Sequence, residues 1–160
     1  MKSIHFQYLV LADQTELNPE DAALLAKARQ ATQDAYAPYS KFNVAAVALL
    51  NNGEIITGTN QENASYPIGI CAERVLLSAV SSIHGTIPIN TIAISYHNQS
   101  GQSAKPISPC GLCRQSLLEQ TLRQGQPIRL ILSGLEGEVF IINNAANLLP
   151  LSFTANDMQS

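Results

Sequence analysis

The sequence predicts an α/β sandwich built on a mixed sheet. Segments with helical and with β-type apolar patterning interleave in the order helix, hairpin, helix, strand, helix, strand, strand. Asn51-Asn52-Gly53, between two apolar runs, marks an antiparallel hairpin, because Asn and Gly tolerate positive φ. Helix-length segments separate the later strands, as crossover connections require.

The first helix starts at Asn18-Pro19-Glu20-Asp21. Asn caps, Pro fits the first helical position, and the carboxylates favour the positive end of the helix dipole. Leu24, Leu25, Ala28, Thr32 and Ala35 recur near helical spacing until Ala37-Pro38-Tyr39-Ser40 stops the run. Strands are expected from Asn43 to Leu50 and from Glu54 to Asn60. A helix from Cys71 to Ser82, a strand from Thr91 to Tyr96 and a helix from Cys110 to Gln124 follow. Two short strands, Ile128 to Leu132 and Glu138 to Ile142, flank Ser133-Gly134-Leu135-Glu136-Gly137. Residues 1–17 alternate in part (Ile4, Phe6, Tyr8, Val10) and form an N-terminal arm or an edge strand, and residues 18–160 are expected to make one domain.

With 160 residues, 46% of them hydrophobic and only 13% charged, the chain has ample material for a core. Nine Lys and Arg against 12 Asp and Glu leave a net charge of −3, which argues against a nucleic-acid partner. No window approaches the roughly 18 apolar residues that cross a bilayer, so no membrane partner is expected. The N-terminal text MKSIHFQYLVLADQTEL lacks the apolar core and cleavage site of a secretory signal, and the expected compartment is the cytoplasm.

Three cysteines, Cys71, Cys110 and Cys113, are an odd number that suits no closed disulfide framework. They are inert core residues, a redox pair with a bystander, or metal ligands. Pro109-Cys110-Gly111-Leu112-Cys113 opens a helix, placing two thiols at i and i+3 on one face, and the dipole there favours thiolate. Three thiolates would fill three of the four tetrahedral positions of Zn2+ and leave one for water, which ionises near neutral pH. Glu73, two residues after Cys71, would be the general acid and base beside it. The site would carry net negative charge, and Arg74, then Arg114, are the nearest candidates to moderate it. Taken singly, each piece has a plainer reading: a chance CxxC, a buried small Cys71, a solvated Glu73-Arg74 turn. Only their co-occurrence favours zinc.

Cys71-Ala72-Glu73-Arg74 with Ser108-Pro109-Cys110-Gly111-Leu112-Cys113-Arg114-Gln115 resembles the zinc-dependent nucleoside and nucleobase deaminases. Tyr36-Ala37-Pro38-Tyr39-Ser40-Lys41-Phe42, Gly58-Thr59-Asn60-Gln61-Glu62-Asn63-Ala64, Tyr66-Pro67 and Leu148-Leu149-Pro150-Leu151-Ser152-Phe153 extend the resemblance to the small homotetrameric cytidine deaminases. It covers roughly residues 20–157.

The resemblance implies a three-layer α/β/α sandwich with a mixed five-stranded sheet. It implies hydrolytic deamination of cytidine and 2′-deoxycytidine, in pyrimidine salvage, with one Zn2+ per chain. Cys71, Cys110 and Cys113 would hold the metal, and Glu73 would carry protons. The Ala72 backbone and the Ser108 carbonyl would hold the base, and Asn60 and Glu62 the ribose hydroxyls. Phe42 would pack on base or sugar. Ala64 and Tyr66 would act near a neighbouring subunit's site, and Phe153 would stack on the pyrimidine across the interface. Arg74 and Gln115 would hydrogen-bond the ligand thiolates. The partners implied are free cytosine nucleosides and further copies of the chain, in a homotetramer. Leu148, Leu149, Leu151 and Phe153 supply an apolar C-terminal stretch suited to such an interface.

Two departures stand out. The family has Val-Gly-Ala-Ala after the phenylalanine, whereas this chain reads Val44-Ala45-Ala46-Val47 after Asn43, adding a methyl at Ala45 near the expected pocket. The N-terminal arm is also longer than in many members. Three other functions compete. Deamination of another cytosine nucleoside, such as blasticidin S, shares the three-cysteine core, though Glu62, Asn63 and Arg74 favour the ordinary nucleosides. A thiol–disulfide protein leaves Cys71 and Glu73 unused. A structural zinc module needs a fourth ligand, and His5, His84 and His97 lack suitable spacing.

Overall fold

The computed structural model describes residues 1–158. Its elements run β1 (Leu9–Leu11), α1 (Pro19–Ala31), β2 (Phe42–Leu50), β3 (Ile55–Thr59), α2 (Ala72–Ile83), β4 (Ile89–Asn98), α3 (Gly111–Gln124), β5 (Arg129–Ser133) and β6 (Val139–Ile142). The strands form one sheet in the order β1-β6-β5-β4-β2-β3. Only β4 and β5 pair in parallel, the other neighbours being antiparallel, so the sheet is mixed as expected. It has six strands rather than five. The sixth is β1, which pairs Leu9 with Ile141 and Leu11 with Val139 along the free edge of β6. Tyr8 tilts against Phe140 at 5.0 Å just before it, and within the arm it is residues 9–11 that form the edge strand.

Local chemistry explains the element ends. The Asn18 side chain accepts from the Asp21 amide at 2.9 Å, capping α1. The α-helix stops at Ala31, earlier than the apolar spacing suggests, and continues as a short 3-10 turn from Thr32 to Asp34. The Thr32 hydroxyl there donates back to the Arg29 carbonyl at 2.8 Å, a local bond that competes with helix propagation. The β2–β3 hairpin closes on Gly53 at φ 85°, and α3 ends on Gly125 at φ 70°, both left-handed positions that favour glycine.

The helices cover both faces of the sheet. On one, Leu24, Leu25, Ala28 and Ala31 of α1 pack on Ala45, Val47, Ala93 and Ile131. On the other, Leu76, Val80 and Leu117 of α2 and α3 pack on Ala46, Ala48, Ile92, Ile94 and Leu130. This is the expected three-layer α/β/α sandwich. Asp21 and Arg129 form a bidentate pair at 2.7 Å for both oxygens, tying α1 to β5.

The alternation of β2 corrects one expectation. Ala45 is fully buried on the α1 side of the sheet, whereas Phe42 and Val44 share the α2/α3 side. The extra methyl joins the α1 core and does not enter the pocket.

Candidate metal centre and active site

Cys71 and Cys110 each stand at the N-cap of a helix, α2 and α3, and Cys113 lies in the first turn of α3. Their sulfurs all lie within 4.8 Å of one another, with Cys71 to Cys110 at 3.9 Å and Cys110 to Cys113 at 3.3 Å. Sulfurs bound at about 2.3 Å to a tetrahedral zinc stand about 3.8 Å apart, so the cluster has the spacing that ion needs. Among the described residues no histidine or carboxylate joins the cluster, leaving room for one non-protein ligand. The free thiols share protons: a hydrogen bond from Cys113 pulls the Cys71 thiol down to about 6, against the effects of burial and of Glu73. The same contact, with burial, pushes Cys113 well up. One thiol is therefore ready to ligate as thiolate, and the others must lose protons when a cation arrives.

Glu73 sits in the first turn of α2 and is only 5% exposed. Burial raises its carboxyl above the ordinary glutamate range, opposed by hydrogen bonds from its own amide and from Cys113. A carboxyl that holds its proton more firmly than usual suits proton transfer near neutral pH.

What lets α2 bring this turn to the sheet is Gly58. A Cβ there would lie 2.3 Å from the Leu76 amide nitrogen and 2.7 Å from the Ala72 carbonyl. Ala72, fully buried, is the first residue of α2, so its N–H has no acceptor within the helix. Ser108 is exposed in the segment leading to Cys110. That segment is latched by Arg114, which donates from Nε to the Pro109 carbonyl at 2.8 Å and from Nη1 to the Leu148 carbonyl at 3.1 Å. The sequence suggested Arg114 as a charge neutraliser, and the structure uses it as a backbone anchor.

Arg74 acts on the cluster by charge, helping to lower Cys71. It lines a groove of about 580 Å3 on the outer side of α2 and α3 with Gln115, Ser78 and Arg123, away from the thiols. Gln115 donates to the Phe153 carbonyl at 3.0 Å instead of to a sulfur, so in this chain it holds the C-terminal segment. Among the described residues Gln115 makes no hydrogen bond to a thiol, although its second amide hydrogen stays available.

Asn60 and Phe42 meet at the start of β2. The Asn60 amide donates to the Phe42 carbonyl at 2.9 Å and accepts from the Val44 amide at 2.7 Å, stitching the strand end as a backbone pair would. Glu62 accepts at Oε2 from the Tyr39 and Ser40 amides at 2.9 and 3.3 Å. The Ser40 hydroxyl, those amides and Lys41 hold its carboxyl below the ordinary range. Glu62 also lines a cavity of about 400 Å3 with Tyr39, Ser40, Asn63, Tyr66 and Gly69. Ala64, Tyr66 and Phe153 are exposed, Tyr66 by 74% and Phe153 by 60%.

Three thiols at two helix starts, with a buried carboxyl in the next turn, define a hydrolytic zinc site on an α/β/α sandwich. The chain belongs to the family described as the cytidine and deoxycytidylate deaminase zinc-binding region, whose model matches residues 18–125, from the α1 cap to the end of α3. Zinc is accordingly the cofactor of the cluster. The chain is 38% identical over 135 residues to a cytidine deaminase of Halalkalibacterium halodurans, covering 84% of this chain and 95% of that one. It is 35% identical over 136 residues to one from Sporosarcina psychrophila, covering 84% and 92%. A crystal structure of cytidine deaminase from Burkholderia pseudomallei superposes with a TM-score of 0.71 at 34% identity, covering 86% of this chain and all of that one. One from Mycobacterium tuberculosis gives 0.65 at 30% identity, covering 86% and 99%.

Proposed function

We propose that the protein hydrolyses cytidine and 2′-deoxycytidine to the corresponding uridines, releasing ammonia. The observation that carries this reading is the Cys71–Cys110–Cys113 cluster with Glu73 buried in the adjacent turn. Relatives that match over most of their length are cytidine deaminases, which supports the substrate.

Cys71, Cys110 and Cys113 hold one zinc ion per chain, which supplies the Lewis acid that makes a water nucleophilic near neutral pH. Glu73 takes a proton from the attacking water and delivers it to ring N3. A C4–O bond forms; Glu73 then takes the proton of the new C4 hydroxyl and gives it to the amine, so that the C4–N bond breaks, the C4 carbonyl forms and ammonia leaves. Burial favours the neutral carboxyl, which matches its need to hold a proton between these steps. The Ala72 N–H, which has no acceptor within its helix, and the Ser108 carbonyl would meet the base's oxygen and amino edges. Asn60 has one amide hydrogen beyond its bond to Phe42, and Glu62 keeps Oε1 beside the oxygen that binds the loop, so both can take ribose hydroxyls. Phe42 offers its ring to the nucleoside.

The exposed Tyr66 and Phe153 support assembly into a homotetramer in which neighbours complete each pocket, with Ala64 at the same surface. In this reading the enzyme serves pyrimidine salvage and works in the cytoplasm. No helix among the described residues is long and apolar enough to cross a membrane. The test is the fall in ultraviolet absorbance when zinc-loaded protein meets cytidine, with uridine and ammonia appearing in equal amounts. No conversion of cytidine or deoxycytidine would refute the reading.

A further inference from the structure

Phe42 does not stand alone on the sheet. Phe42 pairs in register with Asn98, and Val44 with Tyr96, so Phe42 and Tyr96 are diagonal neighbours across β2 and β4. Both belong to the side covered by α2 and α3, the side that carries Cys71, Glu73 and Cys110. Their rings lie 4.9 Å apart and 15° from parallel, an offset-stacked pair. Their environments differ. Tyr96 is 5% exposed, whereas Phe42 is half-buried.

The Tyr96 hydroxyl makes no hydrogen bond among the described residues, although no fully buried side-chain polar atom there lacks one. The fold therefore uses the ring of Tyr96. Phe42 is pinned on the other side by its backbone: Asn60 holds its carbonyl, and the Ser40 hydroxyl accepts from its amide at 3.1 Å. With the backbone held, the freedom left is rotation of the phenyl side chain, and it is against this ring that Tyr96 stacks.

We propose that Tyr96 is a positioning residue for the nucleoside site, fixing the ring of Phe42 in the orientation that receives substrate. This rests on the deaminase reading above, in which Phe42 packs against the nucleoside. Tyr96 touches no reacting atom, and its effect falls on binding more than on the chemical step. Stacking of this kind is worth a factor of about two to ten in an equilibrium constant.

The experiment measures kcat and KM for cytidine, zinc content and Tm on the zinc-loaded enzyme and on Y96L, Y96F, F42L and the double variant F42L/Y96L. The expected result is a rise in KM of about two- to tenfold for Y96L with kcat little changed and zinc retained. Y96F, which keeps the ring, retains the wild-type KM. In the F42L background, Y96L adds no further rise in KM, because its action passes through the phenyl ring. Should Y96L not fold, Y96M removes the ring with closer flexibility and carries the same readouts. The proposal is overturned if removing the ring leaves KM unchanged, if Y96F is impaired like Y96L, or if the two substitutions act additively. A wild-type enzyme without activity on cytidine would remove the deaminase reading and this proposal with it. An active wild type with an unaltered Y96L removes this proposal alone.

Discussion

Gly58 and Leu76 approach so closely that the backbone of α2 occupies the space of the side chain glycine lacks: a Cβ on Gly58 would sit 2.3 Å from the Leu76 nitrogen. This contact sets how deeply α2 enters, and with it the position of Ala72 and Glu73. Gly58→Ala forces main chain against main chain, which cannot be relieved by a rotamer change. It should cost at least about 2 kcal/mol of stability. Thermal unfolding together with kcat reads the effect, and a variant with unchanged Tm and kcat would show that the helix has room to retreat.

Arg114 anchors the turn before Cys110 by its bond to the Pro109 carbonyl. Arg114→Met keeps much of the apolar stem and removes the donors. Zinc affinity should fall about tenfold or more, as for other groups that support a ligand without binding the metal. Competition with a chromophoric chelator measures it, and unchanged affinity would mean that the turn is held by its neighbours alone.

The Asp21–Arg129 pair lies far from the thiols but joins two layers, with the Asp21 side chain 8% and the Arg129 side chain 30% exposed. Asp21→Ala leaves a partly buried guanidinium unpaired, at a cost of about 2 kcal/mol. For a chain of this size that lowers Tm by roughly 4–8 °C. Turnover per folded molecule should stay at the wild-type level; loss of turnover at temperatures where the variant is folded would contradict a purely structural role.

Glu62 gives a sign-definite pH effect. Its folded carboxyl lies below the ordinary glutamate value because the Ser40 hydroxyl and the amides at residues 39–40 bind the ionised form. Its contribution to loop order is therefore complete above the ordinary value and is lost as pH falls through the lower, folded one. Exposure to solvent keeps the effect small. In Glu62→Gln, the acid-side loss of order at Tyr39 and Ser40 should be reduced relative to wild type. Amide-proton chemical shifts of those two residues against pH would show it, and identical titrations would assign that loss elsewhere.

How much of this was legible in the sequence depends on the range of the interactions. The start of α1 was, because the Asn18 side chain acts on an amide within one turn, and the start of α3 was marked by Pro109, which bars the helical conformation at the residue before it. So was the thiol cluster, whose i, i+3 spacing and third cysteine carry their own chemistry. The sixth strand was half legible: the alternation of residues 1–17 showed, but a three-residue strand exists only through its pairing with residues 139–141. Ala45 was placed correctly in a strand, yet its face follows from register with β4 and not from composition. Asn60, Gln115 and Arg114 were singled out as polar groups near the chemistry. Their actual partners are carbonyls and amides 5 to 38 residues away, which side-chain type does not disclose. Tyr96 read as the end of a strand, and only the β2–β4 register puts its ring on Phe42.

The most direct measurement compares zinc content and cytidine turnover in the wild type and in Glu73→Gln. The substitution keeps the size of the side chain and removes its ability to carry a proton. The expected result is one zinc ion per chain in both proteins, with turnover in the variant lower by about 10²–10⁴-fold. Zinc-loaded Glu73→Gln that deaminates cytidine at the wild-type rate would contradict the assignment of Glu73 as proton carrier.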